Sequence, residues 1–400
     1  MMKDFQIPLY NGKALDPIKC GNECLMIYVE KTSAEEFEAY CKALADVGFE
    51  KKTCREVKGN SFAAFVNADS FIYAYYTHFY KTVRIIFGEL SLLADEDCGS
   101  LEEKYTPSLT MVGQTDYMNC GQGYIFLLPD GRFLVQDGGC RYSDKKDFMY
   151  EAIRDLAPDT ENIVIAAWFH SHPHGDHQDA FEEFIENHGA EVKIERVVYN
   201  YAEADMYTYK RKDGVGEDCK SLVEGIIAKI KEYIPDAQLI KAHNGQIMRF
   251  GSVEVEILFS VEDCLPTECF DYVNTTSLVI RIRACGQSVL LLADTTHFSG
   301  RIIENMYGDH LKSDMVQLAH HGMWASYLSL YKCAEASVVL WPNTAKGIRN
   351  GNSPWYNDSV VVGALEMAED LYVAGTGVTT LTMPHALAYN KENALEELKK

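Results

Sequence analysis

The stretch His170-Ser171-His172-Pro173-His174-Gly175-Asp176-His177 contains four histidines and one aspartate within eight residues. It directly follows residues 163–169, a nearly continuous apolar run that predicts a central β-strand. Imidazole and carboxylate groups are ligands of Zn2+, and also of Fe and Mn. The chain has only 12 histidines, so a chance cluster of this density is improbable. We therefore predict a metal site at the end of a buried strand.

Strand and helix patterns continue on both sides of this motif. Strands are predicted at 124–128, 132–136, 195–199, 246–250, 253–259, 277–283, 288–293 and 315–319, and helices at 178–188, 222–233, 299–306, 327–335 and 358–367. Helices interleaved through two strand-rich halves indicate an α/β (α+β) fold, in which two packed sheets carry helices on their outer faces.

The motif and the segments around it resemble the metallo-β-lactamase superfamily. The family signature His-x-His-x-Asp-His fits one register, with His172, His174, Asp176 and His177 at its defined positions. Segments 121–125 and 133–139 resemble the family's opening hairpin and Asp-Gly-Gly turn, and 274–279, 290–294 and 316–322 resemble an Asn-x-x-Ser-Leu strand, the bridging-aspartate strand and a His-His-Gly motif. The last of these is similar to the subgroup containing the hydrolase-like domain of competence-channel proteins. The resemblance covers about residues 105–385.

This resemblance implies a four-layer αββα sandwich and a specific set of ligands. His172 and His174 would hold one metal, Asp294 would bridge two metals, and Asp137 would support the ligands through hydrogen bonds. Asp176, His177 and a histidine of the His320-His321 pair would hold the second metal; we favour His320, with His321 as the alternative. One or two Zn2+ ions are expected, with Fe or Mn possible. A metal-bound hydroxide would attack the substrate, and Asp176 would also orient this nucleophile.

One family feature is missing from its usual place. Many members carry a further histidine between the first motif and the bridging aspartate, completing the first metal site. His188 is better interpreted as a residue at a helix C-terminus, and His243, before Asn-Gly, as an exposed turn residue. His297 is another possible donor. Without one of these, the first site would have three protein ligands and bind its metal more weakly.

Residues 1–104 have a different character and predict a small α+β domain of unknown role, ahead of a hydrolase-like domain over 105–390. A helix is predicted at 33–47, with Ser33 as N-cap and Phe37, Cys41, Leu44 and Val47 facing inward. Strands are predicted at 24–30, 62–66, 71–80 and 83–87, and nine residues between 62 and 87 are aromatic. We interpret this aromatic surface as a sheet face packed on a helix or on the next domain; a binding or dimerisation face is the alternative.

Composition limits the partners. The 400 residues include 59 acidic and 37 basic side chains, for a net charge of −22. Such a surface disfavours long duplex nucleic acid and anionic membranes, and points to a small or short anionic or ester substrate reaching a locally positive metal site. The 12 cysteines are scattered, and neither an export signal nor an apolar stretch of about 18–20 residues is visible. A reducing cytoplasm is the expected location.

Two functions follow as hypotheses. The first is a metal-dependent hydrolase that acts on a small phosphodiester or another ester. The second is a non-catalytic or weakly active regulatory module of the same fold, motivated by the missing histidine. Metal content and hydrolytic activity distinguish the two.

Overall fold

The computed structural model describes residues 7–12, 15–21, 23–112, 121–141, 147–209, 213–266, 273–324, 326–349, 354–376 and 378–400. Within these ranges the chain forms three sheets, of which the first belongs to the N-terminal region and the other two to the remainder. No helix in these ranges combines the length and apolar character needed to cross a membrane.

The N-terminal region is a six-stranded sheet with one helix. Its elements are β1 (Ile18–Cys20), β2 (Cys24–Glu30), α1 (Ala34–Asp46), β3 (Glu50–Val57), β4 (Asn60–Val66), β5 (Ser70–Thr77) and β6 (Thr82–Glu89), with strand order β1-β2-β6-β5-β4-β3. The predicted capping box is present, because Ser33 and Glu36 bond reciprocally at the start of α1. Val47 is 56% exposed, so its predicted inward position is wrong.

Strand β3 was not predicted, because its charged sequence has no alternation of apolar and polar residues. Five of its eight residues are exposed, and it lies at the edge of the sheet, where only one neighbouring strand bonds to it. Charged side chains on an edge strand discourage pairing with other chains. The strand is therefore specified by its pairing with β4 rather than by its own pattern.

The rest of the chain forms two larger sheets with helices between their strands. The elements of the first half are β7 (Ser108–Met111), β8 (Gly123–Leu127), β9 (Phe133–Asp137), α2 (Phe148–Leu156), β10 (Val164–Phe169), α3 (Gly175–His188), β11 (Lys193–Ile194), β12 (Arg196–Tyr199), α4 (Gly214–Tyr233) and β13 (Gln238–Lys241). Those of the second half are β14 (Ile247–Phe250), β15 (Val253–Phe259), β16 (Val279–Ala284), β17 (Gln287–Leu291), α5 (His297–Tyr307), β18 (Met315–Gln317), α6 (Leu328–Ala334), β19 (Val338–Trp341), α7 (Ala345–Arg349), α8 (Ser359–Met367), β20 (Asp370–Val373), β21 (Thr379–Thr382) and α9 (Lys391–Lys399).

These two sheets face each other. One has the order β13-β12-β10-β9-β8-β7-β21, with β11 also on β10, and the other the order β14-β15-β16-β17-β18-β19-β20. One buried apolar cluster contains residues of both, such as Phe126 and Phe169 from the first and Ile257 and Ile280 from the second. On the outer sides, α3 packs beside β9 with α2 and α4, and α5 packs beside β15 with α6 and α8 nearby. The predicted four-layer αββα sandwich is confirmed.

The central strands of the N-terminal sheet, β4, β5 and β6, are buried on both faces. Along β5, Ile72, Ala74 and Tyr76 face α1, whereas Phe71, Tyr73 and Tyr75 belong to the apolar cluster shared with the sandwich. This alternation follows the two-residue period of a strand. The aromatic residues thus pack on a helix on one side and on the sandwich on the other, which confirms the packed-face interpretation. The domain boundary at 104/105 stays a prediction.

The sandwich places the ends of four strands at one edge. In the first sheet β9 and β10 are parallel neighbours, and in the second β17 and β18 are. Parallel neighbours end at the same edge of a sheet. All the predicted ligand residues follow the carboxyl ends of these strands, so the fold brings them into one region.

Candidate metal centre

The His-x-His-x-Asp-His motif spans a loop and the first turn of a helix. His172 and His174 lie in the connection after β10, and His174 is the N-cap of α3. The helix begins at Gly175, three residues earlier than predicted, so Asp176 and His177 lie in its first turn. An aspartate there is stabilised by the positive end of the helix dipole.

Asp294 and the His320-His321 pair come from the second sheet, each three residues beyond a strand. Asp294 follows β17 and His320 follows β18. The backbone N–H of His320 donates to Ala293 O at 2.9 Å, which joins the two connections directly. The ligand candidates of this sheet are therefore held by two neighbouring strands.

The turn that carries the histidine pair is tightly built. His320 and His321 both have left-handed backbones, with φ of 51° and 55°. Gly322 has φ of +76°, and a Cβ there would lie 2.4 Å from Trp341 Nε1, so only glycine suits this position. Trp341 Nε1 and Asn343 Nδ2 both donate to His321 O, at 2.7 and 2.9 Å. These contacts aim the two imidazoles in different directions.

The candidate donor atoms form two groups of three, within each of which the atoms lie no more than 4.8 Å apart. The first group is His172, His174 and Asp294; the second is Asp176, His177 and His321. Asp294 also reaches the second group, with Oδ1 3.2 Å from His177 Nε2 and Oδ2 3.6 Å from His321 Nε2. One carboxylate thus lies between two sets of donors, the position required of a bridging ligand.

The structure places His321, rather than His320, in the second group. His321 Nε2 lies 3.2 Å from Asp176 Oδ2, and its Nδ1 donates to Pro342 O at 2.9 Å. That bond fixes the tautomer and leaves Nε2 facing the site. His320 lies at the margin, with Nε2 3.9 Å from Asp294 Oδ2. The sequence favoured His320, the first of the pair after the strand, whereas the geometry of the turn brings His321 into the donor group.

Asp137 lies beneath the candidate ligands and bonds to the segment that carries them. Its fully buried carboxylate accepts hydrogen bonds from Ser171 N at 2.8 Å and Ser171 Oγ at 2.7 Å. It also accepts from Gln178 Nε2 at 2.9 Å and lies 2.8 Å from His177 Nδ1. With Nδ1 held in this way, the Nε2 atom of His177 is directed toward Asp294.

Two serines extend this support and were not predicted. Ser171 Oγ lies 3.0 Å from His172 Nδ1, and Ser277 Oγ lies 3.3 Å from the same atom. Ser277 Oγ also accepts from the backbone N–H of Asp294 at 3.2 Å. It thereby connects the two sheets through their ligands. The only sequence signal for Ser277 was its place in the Asn-x-x-Ser-Leu segment.

Burial and neighbouring charge set the protonation of the site. Burial lowers the pKa of His172 and His174, which favours the neutral imidazole that binds metals. Burial also acts to lower the pKa of His177, but Asp294, Asp137 and Asp176 outweigh it and raise that pKa well above its ordinary value.

The buried carboxylate of Asp294 stays ionised. Burial acts to raise its pKa, but His177 and His321 hold that pKa well below its ordinary value. The raised pKa of His177 favours a proton there that would balance this charge, and a bound cation would take the place of that proton.

Buried donor atoms that lack well-oriented hydrogen bonds show that these residues are suited to bind a metal. Among the described residues, His177 Nε2, His321 Nε2 and Asp294 Oδ1 are buried side-chain atoms without a well-oriented hydrogen bond, although His177 Nε2 and Asp294 Oδ1 lie 3.2 Å apart. Buried polar atoms are nearly always satisfied, and these three converge on one region. Two carboxylates and several imidazole nitrogens form a donor set suited to Zn2+, Fe or Mn.

The other candidate histidines lie elsewhere. His188 ends α3, where it stacks on Tyr150 with ring centroids 3.8 Å apart and lies 3.2 Å from Asp147 Oδ1. His297 begins α5 and contacts Tyr327. His170 is buried, with Nδ1 2.9 Å from Tyr201 Oη. Neither His188, His297 nor His170 belongs to a donor group.

The prediction that His243 occupies an exposed turn is wrong. Its side chain is fully buried, with Nδ1 2.6 Å from Glu262 Oε1 and the ring stacked on Tyr73 of the N-terminal sheet. The Asn-Gly turn does follow, but the N-terminal sheet covers it. A local turn signal carries no information about packing between distant segments.

At the level of sequence, neither a protein-family model nor a curated protein matches the chain. Several solved structures have a similar fold. They include the metallo-β-lactamase fold protein YhfI from Bacillus subtilis, with 13% identity over 68% of this chain and 99% of that one and a TM-score of 0.39. CmlA, a diiron β-hydroxylase from Streptomyces venezuelae, has 14% identity over 70% of this chain and 54% of its own, with a TM-score of 0.41. MEM-A1, a subclass B3 metallo-β-lactamase from a soil metagenome library, has 14% identity over 56% and 83%, with a TM-score of 0.34. These are likenesses of fold alone.

Proposed function

We propose that this protein is a metal-dependent hydrolase of the metallo-β-lactamase superfamily. The observation that carries the proposal is the pair of donor groups that share the buried carboxylate of Asp294. Most buried polar atoms in proteins are satisfied internally. Here the unsatisfied atoms are metal-ligand types and face one another.

The proposed ligands divide between two positions. His172, His174 and Asp294 would hold the first ion, and Asp176, His177 and His321, again with Asp294, would hold the second. Bound divalent ions would lower the pKa of a coordinated water and polarise the scissile bond. The first position has three protein ligands and would bind its ion more weakly than the second position. A form of the protein with a single bound ion is therefore compatible with this site.

The protein's own side chains would prepare the attack. Asp176 would accept a hydrogen bond from the attacking water and fix its direction. Asp137 and Ser171 would hold His177 and His172 in the required tautomers through the hydrogen bonds described above. His320, at the margin of the site, would contact a bound substrate.

We further propose that the substrate is a small phosphodiester or another small ester. The net charge of −22 works against long polyanions, whereas one anionic group could bind to cations within the cleft. The alternative, a regulatory module that binds metal without turnover, draws its support from the three-residue first group.

Metal analysis and a substrate panel test the proposal together. The protein is purified without chelators, its metals are counted by plasma mass spectrometry, and hydrolysis is measured with Zn, Mn and Fe. The panel contains phosphodiesters, lactones, thioesters and short single-stranded DNA. Asp309→Ala, at an exposed aspartate paired with Lys58, is the matched control.

The expected result is two metals per chain and turnover of at least one ester class. Asp176→Ala should lose one metal and the activity, and Asp309→Ala should lose neither. One metal or none, together with no hydrolysis across the panel, would contradict the proposal and favour the regulatory module.

A further inference from the structure

Trp324 lies beside the metal centre and is open to solvent. Its ring centroid is 6.0 Å from that of His320, whose Nε2 is 3.9 Å from Asp294 Oδ2. The side chain is 65% exposed. A large apolar side chain is therefore available for contact beside His320, at the margin of the candidate metal centre.

Packing does not explain this position. Trp324 has a left-handed backbone with φ of 46°, a conformation that is unfavourable for a bulky residue. Such strain persists where the surrounding structure imposes it, and it concentrates at functional sites. Here the anchored turn at 320–322 imposes the chain path. Trp355 supports the indole from one side, in an edge-to-face contact with ring centroids 5.2 Å apart.

Two further exposed aromatic residues lie shortly after candidate donors in the sequence, four residues after Asp294 and six after His321. Phe298, in the first turn of α5, is 54% exposed, and Tyr327, at the N-cap of α6, is 40% exposed. Ser326 Oγ donates to Thr296 O at 3.2 Å and so joins the two segments. The segments that follow Asp294 and His321 therefore both present aromatic surface.

We propose that Trp324 is a specificity-determining residue, whose indole stacks on a flat aromatic group of the substrate next to the ester that is cleaved. Exposed aromatic surface beside a polar site is typical of ligand recognition. Aromatic pairs add to affinity beyond simple burial of area. This inference rests on the proposed function, because the metals would hold the anionic end of the same substrate.

Two non-hydrolysable anions test the inference by binding alone. Zn-loaded protein is titrated calorimetrically with phenylphosphonate and with methylphosphonate. The variants are Trp324→Ala and Trp324→Phe. Tyr389→Ala is the matched control: Tyr389 is 69% exposed and lies close to the start of β20, at the opposite edge of the sheet from the ligands.

Phenylphosphonate should bind about tenfold more tightly than methylphosphonate, a difference equivalent to about 1.4 kcal/mol. Trp324→Ala should abolish that difference, leaving methylphosphonate binding and metal content unchanged, and Trp324→Phe should retain most of it. Tyr389→Ala should behave like the wild type.

If methylphosphonate binds but the phenyl group adds nothing, or if Trp324→Ala weakens both ligands equally, the inference is wrong and the proposed function stands. If neither phosphonate binds the metal-loaded protein, both are wrong.

Discussion

Two buried charged clusters in this molecule have opposite construction. The cluster around Glu256 joins a fully buried carboxylate to arginines: Arg281 Nε donates to it at 3.1 Å, Arg283 lies at 2.9 Å, and Arg55 of the N-terminal sheet also pairs with it. His310 Nε2 lies 2.8 Å away. Every side-chain oxygen of Glu256 thus has a cationic partner.

In the candidate metal centre, no lysine or arginine among the described residues pairs with Asp294. Within the described part of the chain, every ion-pair partner of Asp294 is a histidine, and its Oδ1 lacks a hydrogen bond. Both carboxylates are buried, so burial alone does not separate them. Internal arginines indicate that a buried carboxylate is structural, whereas converging unsatisfied ligand atoms indicate that an external cation completes the site.

Among the variants that test this contrast, Asp294→Asn should have the largest effect. The amide cannot bridge two cations, so we expect metal content to fall and hydrolysis to drop by about a thousandfold. Stability of the metal-free protein should change little or increase, because a buried and incompletely paired charge is removed. Plasma mass spectrometry, kinetics and urea denaturation check the three parts. A variant that keeps both metals would contradict the assigned bridging role.

Glu256→Gln should have the opposite effects, lowering stability without changing metal content. Removing this charge leaves Arg281 buried without its anion, so the free energy of unfolding should fall by about 3 kcal/mol, while the metal content of the folded protein stays unchanged. Urea denaturation measures the loss. The matched control is Glu254→Gln: this residue pairs with Arg249 and Arg283 at the surface and should contribute less than about 1 kcal/mol. If both variants lost the same free energy of unfolding, the Glu256 cluster would not be a special structural site.

Asp137→Asn tests a carboxylate that hydrogen-bonds to a candidate ligand but belongs to neither donor group. An amide cannot accept all the hydrogen bonds that Ser171, His177 and Gln178 donate to this carboxylate. We expect metal affinity to fall about 10- to 100-fold, as measured by competition with a chromogenic chelator. An unchanged affinity would mean that the ligands are positioned without Asp137.

Asp263, under the N-terminal sheet, is intermediate between the two clusters in how completely its charge is balanced. Burial raises its pKa to about 6, and the nearby Arg84 compensates only in part. Below about pH 4 the carboxyl is protonated in both the folded and the unfolded protein. Between pH 4 and 6 only the unfolded chain releases the proton, so ionisation of Asp263 costs stability as pH rises through this window.

Asp263→Asn removes this titration. In chelator-treated protein, the free energy of unfolding of the variant relative to the wild type should increase by about 1–3 kcal/mol between pH 4 and pH 7. Urea denaturation at both pH values measures it. A difference that does not depend on pH would show that Asp263 is ionised throughout.

Much of the fold was predictable because its strongest signals are local. The apolar run ending at Phe169 predicted a central strand, and β10 does lie inside its sheet. The capping box at Ser33 and Glu36 placed the start of α1 correctly. Edge strand β3 was missed because its stability comes from pairing with β4, which its own residues do not encode.

The candidate site was predictable as a list of residues but not as a geometry. The spacing of the histidines and aspartates, together with the family resemblance, named the residues that form the two donor groups. The choice of His321 over His320 depends on three contacts of one turn with Trp341, Pro342 and Asn343. The supporting roles of Ser171 and Ser277 likewise arise where separate segments meet.

The sequence by itself determined the sandwich, the types of candidate ligand and the acidic surface, because periodicity, residue chemistry and net charge are properties of the chain. Only the tertiary structure decided that Asp294 lies between two donor groups, that His243 is buried beneath the N-terminal sheet, and that Trp324 is exposed beside the ligands. The physical reason is that these positions depend on contacts between residues far apart in sequence, and local pattern does not specify which distant surfaces meet.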